Sequence, residues 1–248
     1  MKIVEKRVEI EVLTGLRIGG EKETFEVGGL DNPVIRIVYV YVRDKEKKEK
    51  KVPIIPGSSI KGRMSSLLEK KYGIKYINNV PSPLKEKVEN FDSLSDDAKR
   101  VHQLFRSMDG VKLIFSDLHP TEDTIEWWDN LEEKEWTYDI GTEIKVENVI
   151  DRSTGTTARG GLRKMERIVK GSRFEGIVTL VYENEKEEKE NLKRDLDILE
   201  EGFKLISKTY LGGCGSRGYG RVKISFNGKV FAPESIPASE ESNQSSSK

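Results

Sequence analysis

Arg173-Phe-Glu-Gly-Ile-Val-Thr-Leu-Val-Tyr182, and the residues that follow it, decide how this chain folds. The ten residues are rich in β-branched and aromatic side chains and read as a strand. After them Leu192, Leu196, Leu199, Phe203 and Ile206 recur at spacings of four and three, the stripe of an amphipathic helix. Val222, Ile224 and Phe226 then alternate with Lys223 and Ser225, the period of a half-buried strand. A loop with five glycines, Leu211 to Gly220, joins that helix to that strand.

The first half repeats the order. Val8, Ile10 and Val12 alternate with Arg7, Glu9 and Glu11, which predicts a strand near 3–13. Pro56-Gly-Ser-Ser59 opens a helix to about Tyr72, with Ser58 or Ser59 as N-cap and Ile60, Met64, Leu67 and Leu68 on one face. Val111 to Asp117 reads as the next strand. Strand-helix-strand twice over is the ferredoxin-like, or RRM-like, pattern of the α+β class. Its sheet carries helices on one face and leaves the other for a ligand, which in RRM domains is single-stranded RNA.

Residues 1–231 are thus expected to form a single RRM-like domain with insertions at about 14–56, 74–110 and 118–171. Val34–Val42 and Val52–Ile55 read as a hairpin whose tip is the charged run 44–51. The tail 232–248, made largely of Ser, Glu and Pro, has too little apolar surface to order itself.

The 248 residues hold 43 basic and 43 acidic side chains, and 35% of all residues are charged. With a single cysteine no disulfide forms within the chain, which fits a thermophile's cytosolic protein better than a secreted one. No apolar run approaches a membrane span and no signal-peptide pattern opens the chain, so a membrane partner is not expected. The charge is nevertheless polarised. Seven basic residues lie between Arg152 and Arg173 against Glu166 alone, and five between Lys204 and Lys223 against no acid. Acids gather at 122–135 and 185–201 instead. A basic face for a polyanion on a neutral protein would look like this, although solvated helix faces and loops are the commoner origin of any one charge run.

Gly213-Cys-Gly-Ser-Arg-Gly218 is a literal G-x-G-x-x-G, but it follows a helix and opens a strand, the reverse of a dinucleotide fingerprint. Arg217-Gly-Tyr-Gly-Arg-Val-Lys-Ile224 is similar to an RNP1 segment, with Arg221 and Ile224 where aromatic residues stand in that motif. So many glycines beside Arg217 and Tyr219 point to backbone in close approach to phosphates, through Gly213, Gly215 and Ser216. Lys61 and Arg63 lie in the first turns of their helix, where the macrodipole disfavours cations. A phosphate at Ser58 and Ser59 would reverse that penalty, and two exposed cations are an equally good reading. Asp31, in Val27-Gly-Gly-Leu-Asp-Asn-Pro33, is a turn-forming Asp on its residues alone. His102, His119 and Cys214 have no metal-ligand spacing.

Five segments in order carry a more specific signal: Thr14-Gly-Leu-Arg-Ile-Gly-Gly20, Leu30-Asp-Asn-Pro-Val-Ile-Arg36, Ile54-Ile-Pro-Gly-Ser-Ser-Ile-Lys-Gly-Arg63, Thr142-Glu-Ile-Lys-Val-Glu-Asn-Val-Ile-Asp-Arg152 and Tyr210-Leu-Gly-Gly-Cys-Gly-Ser-Arg-Gly-Tyr-Gly220. Together they resemble the RAMP superfamily, in particular the repeated backbone subunit of the type III-A (Csm) CRISPR interference complex. The resemblance covers about residues 3–226. It implies an RRM-like palm with inserted lid and thumb, copies polymerised head to tail along a CRISPR RNA (crRNA), other subunits of a cytoplasmic effector complex as partners, and cleavage of complementary target RNA. It places Asp31 at the family's cleavage position, where it would orient a divalent metal ion, Mg²⁺ or Mn²⁺, or take a proton from the ribose 2'-OH. It places Lys61 and Arg63 in the guide-binding helix and Arg152, Arg159, Arg163 and Arg167 in the thumb. Arg17 stands where members of the family usually have His, and is expected to contact RNA rather than act as an acid or base. Two other readings stay open: a non-catalytic scaffold that tiles RNA, and a nucleotide-binding enzyme that uses the Gly-rich loop.

Overall fold

The computed structural model describes residues 1–19, 33–43, 46–106, 112–131 and 137–233. The alternation in β1 (Lys2–Val12) places that strand at the centre of the main sheet, because Val8, Ile10 and Val12 all reach the core. β9 (Arg173–Tyr182) pairs antiparallel along one edge of β1, from Lys2↔Tyr182 to Glu11↔Arg173. β10 (Val222–Phe226) pairs along the other, from Val8↔Phe226 to Val12↔Val222. With β4 (Leu113–Phe115), the two-residue β5 (His119–Pro120) and β11 (Lys229–Phe231), the strand order is β11-β10-β1-β9-β4, with β5 beside β9.

Two helices cover one face of this sheet. α1 (Gly57–Lys71) buries Ile60, Met64 and Leu68, and α4 (Glu185–Lys208) buries Ile198, Leu199, Phe203 and Ile206. Phe203 meets Phe226 at 4.7 Å between ring centroids and Phe115 at 6.4 Å, so one helix side chain joins two strands. α2 (Asp96–Arg106) packs beside them, held to α4 by a bidentate pair from Arg100 to the buried Asp195, which also accepts from the Tyr182 hydroxyl.

The opposite face differs from the stacking surface an RRM would offer. It carries Glu5, Arg7, Glu9 and Glu11 beside Arg173, Glu175, Ile177, Lys223 and Ser225, and none of these is aromatic. Bases have no platform there, and the face is of mixed charge, with Arg7 paired to Glu175 and Lys223 to Glu11.

Several boundaries correct the sequence reading. β2 (Arg36–Arg43) pairs with β3 (Glu46–Pro53) over eight positions, so most of the charged run 44–51 is strand rather than tip, and only 44 and 45 lie outside the described residues. Lys50 reaches across to Asp129 at 2.7 Å while the backbone of β3 completes the ladder with β2. The expected strand 111–117 is shortened to β4 because Leu118 turns away to bridge Ile55. The 118–171 insertion holds α3 (Glu122–Leu131) and a separate three-stranded sheet of β6 (Thr137–Asp139), β7 (Thr142–Ile150) and β8 (Thr157–Ile168). The acids of 122–135 and 185–201 include the first turns of α3 and α4, where they complement the helix dipole. α1 starts one residue before the expected caps: Pro56 holds the cap position, and the Asp117 carboxylate accepts from the Gly57 amide at 2.9 Å. Residues 234–248 of the tail lie outside the described residues.

The three-stranded sheet is fastened to the β2–β3 hairpin by Glu166 of β8, which has no solvent exposure. Its carboxylate accepts from the Val34 amide at 2.8 Å, from the Thr142 hydroxyl at 2.9 Å, and from both terminal nitrogens of Arg36. Among the described residues, Glu166→Ala would leave the Val34 amide without its acceptor and the Arg36 guanidinium with only Thr142 at 3.2 Å and the more distant Asp139 carboxylate, at 3.4 Å. It should destabilise the chain by roughly 3 kcal/mol, the loss usual when one partner of a buried ion pair is removed. Urea denaturation measures this, and a change under about 0.5 kcal/mol, the size of a surface substitution, would contradict it.

Candidate nucleic-acid interface

The Gly-rich loop leaves α4 at Thr209 and enters β10 at Val222. Its shape is set from inside the protein. Tyr210 lies with the Arg63 guanidinium 4.0 Å from its ring centroid, and Gly215 lies so close to that ring that a Cβ on it would fall 2.0 Å from the ring. Arg63 also donates to the Tyr210 carbonyl at 3.1 Å and to the Thr209 hydroxyl at 3.3 Å. Gly220, at φ 71°, donates to the Gly15 carbonyl and leaves no room for a side chain against the Leu211 carbonyl. Packing of the loop thus accounts for Gly215 and Gly220, whereas a Cβ on Gly213 would meet nothing nearer than 3.5 Å and one on Gly218 would stand in open space.

At the far side of the loop a cluster of charges gathers around the buried Tyr219. The Tyr219 hydroxyl donates to Glu147 at 2.7 Å, and Arg217 donates to the other Glu147 oxygen at 2.6 Å. Lys145 and Arg167 lie 4.7 and 5.2 Å from the Tyr219 ring centroid. Arg167 in turn pairs with Glu143 at 2.7 Å. The phenol hydrogen bond, with help from Lys145 and Arg217, holds the Glu147 carboxyl below its ordinary range against the opposing effect of burial. Burial, reinforced by the same carboxylate, pushes the Tyr219 hydroxyl up. Cys214 adopts a left-handed conformation, φ 62°, and its sulfur accepts from Arg17 at 3.2 Å and Arg217 at 3.1 Å.

The structure therefore brings Arg17, Arg167, Gly213, Gly215, Arg217 and Tyr219 to one junction, where the end of β1, the base of the β7–β8 ribbon and the Gly-rich loop meet. The Gly213 amide donates to the Arg17 carbonyl there. Ser216 and Arg217 are exposed at its rim. Arg152 and Arg163 are exposed farther along the ribbon, and the side chain of Arg159 lies outside the described residues. Tyr219 is 1% exposed and wrapped by cations, so its ring has no face left for a base. Ser58 is exposed and Ser59 half-buried at the start of α1, where Asp117 supplies a carboxylate to the first amide. Lys61 donates to the Leu113 carbonyl at 2.9 Å, and burial together with the Arg106 charge lowers its pKa. Asp31 lies outside the described residues. Sequence reasoning missed Glu147, Glu143, Lys145 and Asp117, each a charge whose partner is remote in the chain. The one available signal was that Glu143, Lys145 and Glu147 alternate within Thr142–Asp151, which a strand presents on a single face.

Among the described residues no group of three or more His, Cys, Asp or Glu side chains is placed to hold a metal ion, so they offer no ligand set for the divalent ion that the resemblance implies. No helix among them is long and apolar enough to cross a membrane.

A model of the RAMP superfamily matches residues 9–223. A Methanocaldococcus jannaschii protein, "CRISPR system Cms endoribonuclease Csm3", is 39% identical over 230 residues, spanning 90% of this chain and 77% of that relative. The Streptococcus thermophilus protein of the same name is 34% identical over 219 residues, 86% of this chain and 83% of that relative. Among solved structures, a chain of a "Type III-B Cmr-beta bound to cognate target RNA" superimposes with a TM-score of 0.52 at 16% identity, covering 93% of this chain and 61% of that one. A chain of a "Type IV-B CRISPR Complex" gives 0.51 at 16%, covering 94% of each. At those identities the structures share the fold alone.

The internal contacts of Lys61 give it a structural task. Lys61→Met, which keeps most of the apolar stem and removes the ammonium, should cost about 1–3 kcal/mol of folding stability, because the Leu113 carbonyl is left without its donor. An unchanged urea midpoint would return Lys61 to the surface.

Proposed function

The chain belongs to the RAMP superfamily, and on that premise we propose that it is a crRNA-binding backbone subunit of a type III-A CRISPR effector complex that cuts complementary target RNA. The observation that carries this reading is 39% identity, spread over nine-tenths of the chain, to a relative named as a CRISPR endoribonuclease. The strand order β10-β1-β9-β4, with α1 following β1 and α4 following β9, supports a ferredoxin-like palm, and the β6–β8 sheet with its basic ribbon is our candidate for the thumb. In this reading copies of the chain stack head to tail along crRNA and join other subunits. Arg17, Arg152, Arg159, Arg163, Arg167, Ser216 and Arg217 are the proposed RNA contacts. Lys61, Arg63 and Tyr219 act behind them, since each already has partners within the chain.

Asp31 is the proposed catalytic residue. Its carboxylate takes the proton of the target ribose 2'-OH while O2' bonds to the adjacent phosphorus. The P–O5' bond breaks, O5' takes a proton from water, and the products are a 2',3'-cyclic phosphate and a 5'-OH. Holding the reacting atoms in line supplies much of the acceleration, so a single carboxylate suffices as the acid-base group. A divalent metal ion is part of the proposal, with Asp31 as the residue that would hold it. A nucleotide-binding enzyme fits less well: the Gly-rich loop contains only the single short turn Gly215–Arg217 and then enters β10, so it opens no helix to a pyrophosphate.

Asp31→Ala should slow target cutting by the assembled complex by roughly a hundredfold or more, with guide content and gel-filtration profile unchanged. A target with 2'-deoxyribose at the scissile nucleotide should resist equally. Undiminished cutting by a correctly assembled Asp31→Ala complex would leave the RNA-tiling scaffold in its place.

A further inference from the structure

Arg217 is the exposed cation of the Gly-rich loop, and its guanidinium is the group there best placed to meet an RNA strand. A free arginine samples many rotamers, and ordering it on a phosphate costs conformational entropy. Here the ordering is done in advance. One terminal nitrogen donates to Glu147 at 2.6 Å and the other to the Cys214 sulfur at 3.1 Å, yet the side chain keeps 47% of its surface exposed. Glu147, at 15% exposed, is the more fixed partner. It is anchored in turn by the Tyr219 hydroxyl and by Lys145 at 3.4 Å. Glu147 also belongs to β7, so its bonds to Arg217 and Tyr219 tie the basic ribbon to the loop.

We propose that Glu147 is a positioning residue for RNA binding: it holds the inner edge of the Arg217 guanidinium so that the outer edge faces a phosphate. Five N–H donors in a rigid fork allow a carboxylate and a phosphate to be served at once. The inference deepens the RNA-binding reading and rests on it. It also runs against simple electrostatics. Removing one negative charge raises the net positive charge of the surface and by itself favours RNA. A weaker complex after that removal therefore reports lost orientation.

The test is a double-mutant cycle on the full chain, read as the affinity for a long single-stranded oligoribonucleotide across a salt series, with Glu147→Gln, Arg217→Ala and the double variant. Glu147→Gln should weaken binding roughly two- to tenfold, the range of one net hydrogen bond, with the melting temperature held. Arg217→Ala should weaken it similarly and lower the salt slope by about one. The double variant should bind no worse than Arg217→Ala alone, because Glu147 acts through that side chain. Tyr219→Phe should give a smaller loss of the same kind. Tighter binding by Glu147→Gln would show that the carboxylate competes with phosphate and would overturn the proposal. So would losses that add in the double variant, which would mark a general structural role, and so would unchanged binding by Glu147→Gln beside a weakened Arg217→Ala. If the unaltered chain and Arg217→Ala bind equally, or neither binds, it is the RNA-binding reading of this surface that fails.

Discussion

One carboxylate without access to water, Glu166 of β8, ties its strand to two stretches distant in the chain, residues 34–36 and the start of β7. It takes the amide of Val34, the guanidinium of Arg36 at the start of β2, and the hydroxyl of Thr142 at the start of β7. A buried charge is tolerated only when its oxygens are fully used, and four donors use these. The consequence is geometric. The β2–β3 hairpin and the β6–β8 sheet share one attachment, so the hairpin has a fixed relation to the β7–β8 ribbon along which a strand of RNA would lie.

A second constraint lies in the Gly-rich loop, where backbone passes close to the Tyr210 ring and to the Leu211 carbonyl. That packing accounts for Gly215 and Gly220 without any ligand, and it gives Arg63 a place behind the loop instead of in front of it. The cations that remain toward solvent, Arg217 at the rim and Arg152 and Arg163 along the ribbon, form the surface a polyanion could meet. The open face of the main sheet does not, because its cations are interleaved with acids: Arg7 pairs with Glu175 and Lys223 with Glu11. The neutral composition of the chain thus resolves into exposed cations along the ribbon and loop and a sheet face of mixed, paired charge.

Periodicity made the core legible. β1, β9, α4 and β10 each bury one face, so Val8, Ile10, Val12, Leu199, Phe203 and Ile224 announce themselves by spacing alone. The site was less legible because a charge does not reveal its partner. Lys61 and Arg217 are the same kind of signal in the sequence, a cation in an unfavoured local setting. Yet one is turned inward to a carbonyl of β4 and the other outward beside Glu147. Glu166 looked like the lone exception in a basic run and is instead the pivot of that run. Asp117 sits 60 positions from the amide it caps. Ion pairs at such separations follow from the fold and cannot be read before it. The lysine-rich β3 was obscured for a related reason: exposed strands tolerate charge on both faces, so its alternation carried no apolar signature.

The most direct test of the account is to purify the chain with its natural partners and sequence the RNA that accompanies it. The account predicts a discrete population of repeat-derived RNA, retained at moderate salt and released as ionic strength rises, as phosphate contacts require. Recovery of no RNA, or of a random sample of cellular transcripts no richer in repeat sequence than a control preparation, would contradict it.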